Sequence, residues 1–274
     1  IFDYGHTLLY EPGFDTLRGE KALMKYIKSN KNNNSAEEIS DFSNKIFQEA
    51  RKVRDFGYEI HEWQFNRFLY EYLGIELSIS IPEAERIFWD NSSPGDIMPD
   101  ADKMIDYINS CNIRSAVISN ISFSGAVLSE RINRLLPNNR FEFIIASSDY
   151  IFRKPNRYIF ELALNKAGID ASKVWFCGDN PQADIEGAAR VGMFPVWYEN
   201  LTIENMWCKN RNDPNCEHLH IHAWNELIEV LESLKHSNDR WRQRCFKRYF
   251  QDNTQSRGRS DNFFYNFCRL QVLH

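Results

Sequence analysis

No apolar stretch in this sequence approaches the roughly 20 residues that a membrane-spanning helix needs. No charged-then-apolar leader opens it either. Neither membrane insertion nor secretion is therefore expected. The chain starts without Met inside an apolar segment, Ile1-Phe2, as if a few native residues had been lost there. Cysteine is sparse: six are scattered over 274 residues with no Cys-x-x-Cys pair. That spacing excludes a disulfide scaffold and suits reduced thiols in a cytoplasm. The Asn-x-Ser/Thr sequences at Asn91, Asn120 and Asn200 then carry no glycans. Positive charge is also lacking over most of the chain. Residues before Lys235 hold 24 Lys or Arg against 35 Asp or Glu, whereas Lys235 onward holds nine against three. An acidic body has no electrostatic footprint for nucleic acid.

What is abundant is apolar and aromatic side chain, 43% and 14% of the residues. This is ample for one large domain or two modest ones. Residues 1–10 read as a short strand running into a polar turn. From about residue 11 to 95 the pattern is helical. Ser35 and Glu38 form a capping-box sequence ahead of Ile39, Phe42, Ile46, Phe47 and Ala50. A second periodic segment carries Trp63, Phe65, Phe68, Leu69, Tyr72 and Leu73, with Gly74 as its stop. A third begins at Pro82 and runs to Trp89, and Pro94-Gly95 breaks the pattern.

Beyond Pro99, short apolar runs alternate with helical patterns. The runs are Ser115–Ile118, Phe141–Ala146, Val174–Cys177 and Phe194–Trp197. Helices are expected at Ala101–Cys111, Gly125–Leu136, Arg157–Ala167 and Ile185–Val191. Strands without polar alternation are buried on both faces, so the α/β class is an open, doubly wound, Rossmann-like parallel sheet covered by helices. No internal repeat is present. The expected organisation is a core of residues 1–10 and 96–234, an all-helical cap at 11–95, and a basic, aromatic tail at 235–274. The tail is expected to be poorly ordered and dispensable, with an acidic-partner or nucleic-acid arm as the alternative.

The polar residues fall just after the expected strands. Asp3-Tyr4-Gly5-His6-Thr7 follows the first, Ser119-Asn120 the second, and Gly178-Asp179-Asn180 the fourth. Ligands of open α/β sheets bind beyond the carboxyl ends of the strands. Asp3 and Asp179 meeting there would repel each other unless a divalent cation lay between them, and hard oxygen ligands favour Mg²⁺.

These residues resemble the haloacid dehalogenase-like superfamily across residues 1–234. Asp3-Tyr4-Gly5-His6-Thr7-Leu8 resembles its first motif, Ser119-Asn120 its second, Lys154-Pro155 its third, and Gly178-Asp179 with Asp184 its acidic fourth. The 11–95 insert matches a helical cap placed after the first motif. The resemblance implies a hydrolase with Asp3 as nucleophile, Ser119 binding the transferring group and Lys154 neutralising charge. It implies Mg²⁺ held by Asp3, Asp179, Asp184 and the Gly5 carbonyl, with Asn120 and His6 as candidate substrate-binding residues. The expected substrate is a small phosphorylated metabolite. Taken singly, Asp3 or Asp179 would be a turn or cap residue, Lys154 a solvated lysine, and Ser119 or Asp184 a helix cap.

Phosphatases of this superfamily usually carry a second Asp two residues after the nucleophile, where this chain has Gly5. Dehalogenases and phosphonate-cleaving members also lack it, but the dehalogenases lack the Gly-Asp pair as well. Two readings follow: a slow or specialised phosphohydrolase, or a weakly catalytic binding or regulatory protein. Phosphonate cleavage is a further alternative, although no cap lysine stands in a recognisable context. Finally, Cys208, Cys216, His218, His220 and His222 cluster where the last strand is expected, ahead of a closing helix at Ala223–Leu234. Their spacing matches no zinc signature, so a structural strand without metal is expected.

Overall fold

The computed structural model describes residues 1–205 and 212–235. The first elements are β1 (Leu9–Tyr10), α1 (Thr16–Leu23), β2 (Ile27–Asn30), α2 (Ala36–Ala50), α3 (Glu62–Leu73), β3 (Ile75–Leu77), α4 (Ile81–Ser92) and β4 (Asp96–Ile97). There follow α5 (Ala101–Ser110), β5 (Ser115–Ser119), α6 (Gly125–Leu135), β6 (Phe141–Ala146), α7 (Ser147–Tyr150) and α8 (Arg157–Ala167). The last are β7 (Trp175–Gly178), α9 (Gly187–Arg190), β8 (Phe194–Tyr198), β9 (Leu219–Ile221) and α10 (Trp224–Lys235). Cys208 and the tail beyond Lys235 lie outside the described residues.

The main sheet is parallel. Phe2 bridges Val117 on one side and Cys177 on the other. Its N–H donates to the Ala116 carbonyl (2.9 Å), and the Asp3 N–H donates to that of Cys177 (2.8 Å). With β5 paired to β6, and β7 to β8 to β9, the order is β6, β5, residues 1–3, β7, β8, β9. In chain order this reads third, second, first, fourth, fifth, sixth, the doubly wound arrangement. The α/β expectation holds, and the direction of winding reverses between residues 1–3 and β7. Strands β5 and β8 are buried along their whole length, as continuous apolar runs require.

β1 and β4 pair antiparallel, Leu9 opposite Ile97 and Tyr10 opposite Asp96, so the chain leaves for the 11–95 insert and returns at one point. The fully buried Arg131 of α6 holds both connections. It donates to Glu11 (2.6 Å), Asp90 (3.0 Å) and the Ser93 carbonyl (2.8 Å), and lies 3.8 Å over the Trp89 ring. Within the insert, the Ser35–Glu38 capping box is formed, Gly74 ends α3 with φ 69, and a second capping box, Ser80 with Glu83, starts α4.

Besides helices the insert contains an antiparallel ribbon of β2 and β3, which helical periodicity could not reveal. α1 was also hidden, because Gly19 lowers its helix propensity. The packing explains that glycine: a Cβ there would lie 2.3 Å from Ser92 Oγ and 2.5 Å from the Phe88 ring of α4. Phe65 and Leu69 form the buried face of α3, whereas Phe68 and Tyr72 are 54% and 65% exposed.

The insert meets the core through carboxylates. Glu85 accepts from Ser124 N (2.7 Å), Ser124 Oγ (2.6 Å) and Trp63 Nε1 (2.7 Å). Glu59 accepts from Arg54, Arg153 and Ser147, and the Glu62 N–H donates to the Ser122 carbonyl. Burial, reinforced by Glu85, raises the Glu62 pKa from 4.5 to about 8. A carboxyl that binds its proton more tightly folded than unfolded favours the native state below its unfolded pKa. That contribution is lost as pH rises from 4.5 to about 8. Thermal melting is therefore expected to fall across this window, and Glu62→Gln to flatten the fall between pH 6 and 8. An unchanged slope in that variant would contradict the assignment.

Candidate active site

Residues 1–3, β5 and β7 end at one edge of the sheet, where winding reverses and open α/β sheets take their ligands. Asp3 is buried there. One carboxylate oxygen, Oδ1, accepts from Lys154 Nζ at 2.6 Å. Thr7 Oγ1 stands 3.5 Å from the other, Oδ2. Lys154 reaches this point from the loop after α7. Its ammonium also donates to the Ile118 carbonyl (2.9 Å) and lies 2.7 Å from Asp184 Oδ1.

Asp184 sits in a π-helical turn, Pro181–Glu186, which Asn180 caps by accepting from the N–H groups of Gln182 and Ala183. The sequence pattern placed a helix start at Ile185; instead the turn begins four residues earlier and α9 follows it. The wider turn lets the Asn180 N–H donate to Asp184 Oδ2 (3.0 Å) and carries that side chain under the end of β7. Gly178 is required by this approach, since a Cβ there would lie 2.5 Å from the Asp184 side chain. Asp179 follows directly. Its Oδ2 accepts from Asn205 Nδ2 (2.6 Å) and its carbonyl from Trp197 Nε1 (3.1 Å).

The carboxylates of Asp3, Asp179 and Asp184 are all buried and offer oxygens within 4.8 Å of one another. Among the described residues, these three carboxylates gather around the Lys154 ammonium. Such a trio of hard oxygen donors fits a divalent cation. Burial pushes the Asp3 pKa up to about 6 against the opposing pull of Lys154, with Asp184 adding to the rise. Lys154 is itself raised: burial disfavours its charge, but Asp184 and Asp3 outweigh that cost.

Ser119 ends β5, buried at this edge. Asn120, a candidate substrate ligand from sequence, has a different place. Its Oδ1 accepts from Lys154 N (2.7 Å) and its Nδ2 donates to the Lys154 carbonyl (2.8 Å). Both ends of the amide thus hold the main chain of Lys154. His6 has φ 54, and its ring lies beside Tyr10 with centroids 6.3 Å apart. Gly5 bridges Leu9, its φ is not left-handed, and an added Cβ would meet nothing within 4 Å.

The sequence assigns no role to Asn205, Trp197 or Asn180, because each acts through a strand neighbour or a turn that no local pattern encodes. A separate cavity of about 260 Å³ opens at the opposite end of the strands; Ile1, Ile108, Val174 and Leu227 line it together with the charged Arg114, Glu142 and Lys173. Among the described residues it holds a single carboxylate, Glu142, paired with Arg114.

The family model for haloacid dehalogenase-like hydrolases matches residues 29–198. Among curated proteins, a glyceraldehyde 3-phosphate phosphatase from Pyrococcus abyssi (strain GE5 / Orsay) is 33% identical over 109 residues, 40% of this chain and 44% of that one. A pyrimidine 5'-nucleotidase from Escherichia coli (strain K12) is 32% identical over 101 residues, 36% and 44% of the two chains. The chain thus spans less than half the length of these relatives. Among solved structures, a 2-haloacid dehalogenase from Pseudomonas syringae pv. Tomato DC3000 superposes with a TM-score of 0.59 at 21% identity, covering 84% of this chain and 96% of that one. A HAD phosphatase from Thermococcus onnurineus gives 0.56 at 19%, covering 84% and 95%. The fold is common to phosphatase and dehalogenase alike.

Proposed function

Because this chain belongs to the haloacid dehalogenase-like hydrolases, we propose that it is a Mg²⁺-dependent phosphohydrolase acting on a small phosphorylated metabolite. The observation that supports this reading is the buried trio of Asp3, Asp179 and Asp184 around Lys154. Displacing a halide from carbon calls for no cation, whereas a phosphate ester brings charge that must be neutralised. The matched stretches of phosphatase relatives point the same way.

Asp3, Asp179 and Asp184 would hold the ion, with the Gly5 carbonyl as a further ligand. Bound there, Mg²⁺ supplies charge neutralisation to the phosphoryl oxygens. Lys154 fixes Asp3 Oδ1, which leaves Oδ2 to attack phosphorus. The bond from phosphorus to the ester oxygen breaks with its electron pair going to that oxygen, which takes a proton from solvent. Water then attacks the phosphorus of the aspartyl phosphate, releasing inorganic phosphate and free Asp3. Ser119 and Lys154 donate to the phosphoryl oxygens as charge builds on them. Asn120 keeps Lys154 in place, and His6 is the nearest candidate for contacting the leaving group. The 11–95 insert serves as the cap that selects the substrate. No helix among the described residues is long and apolar enough to cross a membrane, and a cytoplasmic setting, which the scattered cysteines suit, is part of this proposal.

A screen of phosphate esters tests this reading. Hydrolysis is expected with Mg²⁺, to be lost on chelation, and to return when Mg²⁺ is restored. Turnover that survives chelation would remove the cation from the mechanism. Gly5 supports a second reading, a binding or regulatory protein that keeps the fold and cation site but turns over slowly.

A further inference from the structure

β8 and β9 run parallel with Tyr198 opposite Ile221, and the Glu199 N–H continues the ladder by donating to the Ile221 carbonyl (2.8 Å). This register sets Glu199 beside His220 and His222, which alternation brings to one side of the strand. His220 Nε2 lies 3.0 Å from Glu199 Oε2, and His222 Nδ1 lies 3.9 Å from the same oxygen and 3.0 Å from the Glu199 carbonyl. The three residues offer ligand atoms within 4.8 Å of one another. Ligands bonded at about 2.0–2.1 Å to a tetrahedral ion stand roughly 3.3 Å apart, a value these distances bracket. The His220 ring is held in place by stacking on Trp197, with centroids 4.0 Å apart and planes at 12°.

We propose that Glu199, His220 and His222 form a second cation site, built for a borderline transition-metal ion such as Zn²⁺ and separate from the aspartate trio. Two imidazoles and a carboxylate are a recurrent zinc donor set, and they leave a position for water. Hard Mg²⁺ favours the all-oxygen trio instead. The spacing of the histidines gives no zinc signature because the third ligand, Glu199, follows the end of β8, 21 residues away from His220.

The test is a Zn²⁺ titration of the untagged, metal-stripped full chain in saturating Mg²⁺, read by competition with a chelating indicator. One equivalent is expected to bind. It is expected to be lost in the double variant His220→Ala/His222→Ala and retained in Asp179→Asn. Both histidines are partly exposed, and melting curves check the fold of the variants. If the double variant does not fold, Glu199→Gln gives the same reading through loss of the carboxylate ligand. No bound equivalent in the wild-type chain, or one retained when these ligands are removed, would overturn the site.

Discussion

Replacing Asp3 with Asn is expected to reduce phosphate-ester turnover by roughly 10⁴–10⁶-fold, the scale at which loss of a covalent nucleophile is felt. The amide keeps the shape of the side chain, and its oxygen can still accept from Lys154 where Oδ1 does at 2.6 Å. It cannot form the acyl phosphate. The fold should tolerate the change, since Lys154 retains Asp184 at 2.7 Å and one buried charge is removed from a crowded trio. Melting curves separate the two effects: a variant that melts like the wild type yet is inactive fixes the loss on chemistry. Full turnover in that variant would exclude Asp3 as nucleophile.

Gly5→Asp is expected to act in the opposite direction. General acid–base assistance contributes about 10²–10⁴-fold, or roughly 3–5 kcal/mol of barrier. A carboxylate at residue 5 should raise hydrolysis of alkyl phosphates by a factor in that range, and of nitrophenyl phosphate far less, because nitrophenolate departs without a proton. The structure removes the steric objection: Gly5 is not left-handed, and nothing lies within 4 Å of the added Cβ. His6→Ala is the companion measurement. If Gly5→Asp folds and gains nothing on alkyl esters while His6→Ala loses activity on them, the proton donor is already present. The idea of a site slowed by its glycine then fails.

The buried parallel strands were legible because continuous apolar runs have few other uses in a folded chain. The apolar run Phe141–Ala146 and the helical pattern Arg157–Ala167 coincide with β6 and α8. The edge where Asp3, Ser119 and Asp179 meet followed from the same reading, since polar residues came directly after the strands. What stayed hidden depends on contacts between distant segments. β2 and β3 are short and stabilise each other across the insert. Gly19 disguised α1 because its reason is a neighbouring helix. Asn120 reads as a polar residue beside Ser119, and only the folded chain shows its amide bracketing Lys154, 34 residues away. Asn205 reaches Asp179 across 26 residues without any motif to announce it. The pattern at Ile185–Val191 was helical in kind, but its start was misplaced because a π turn gives no sequence period.

The central claim is covalent catalysis at Asp3, and trapping the intermediate tests it most directly. The protein is mixed with Mg²⁺ and a substrate from the ester screen, quenched within a single turnover and reduced with borohydride, which converts an aspartyl phosphate to homoserine. Peptide mass spectrometry then reads residue 3. Reduction at Asp3 that requires both substrate and Mg²⁺ is the predicted result. Turnover with residue 3 unmodified at every quench time, or reduction at another carboxylate, would contradict the account.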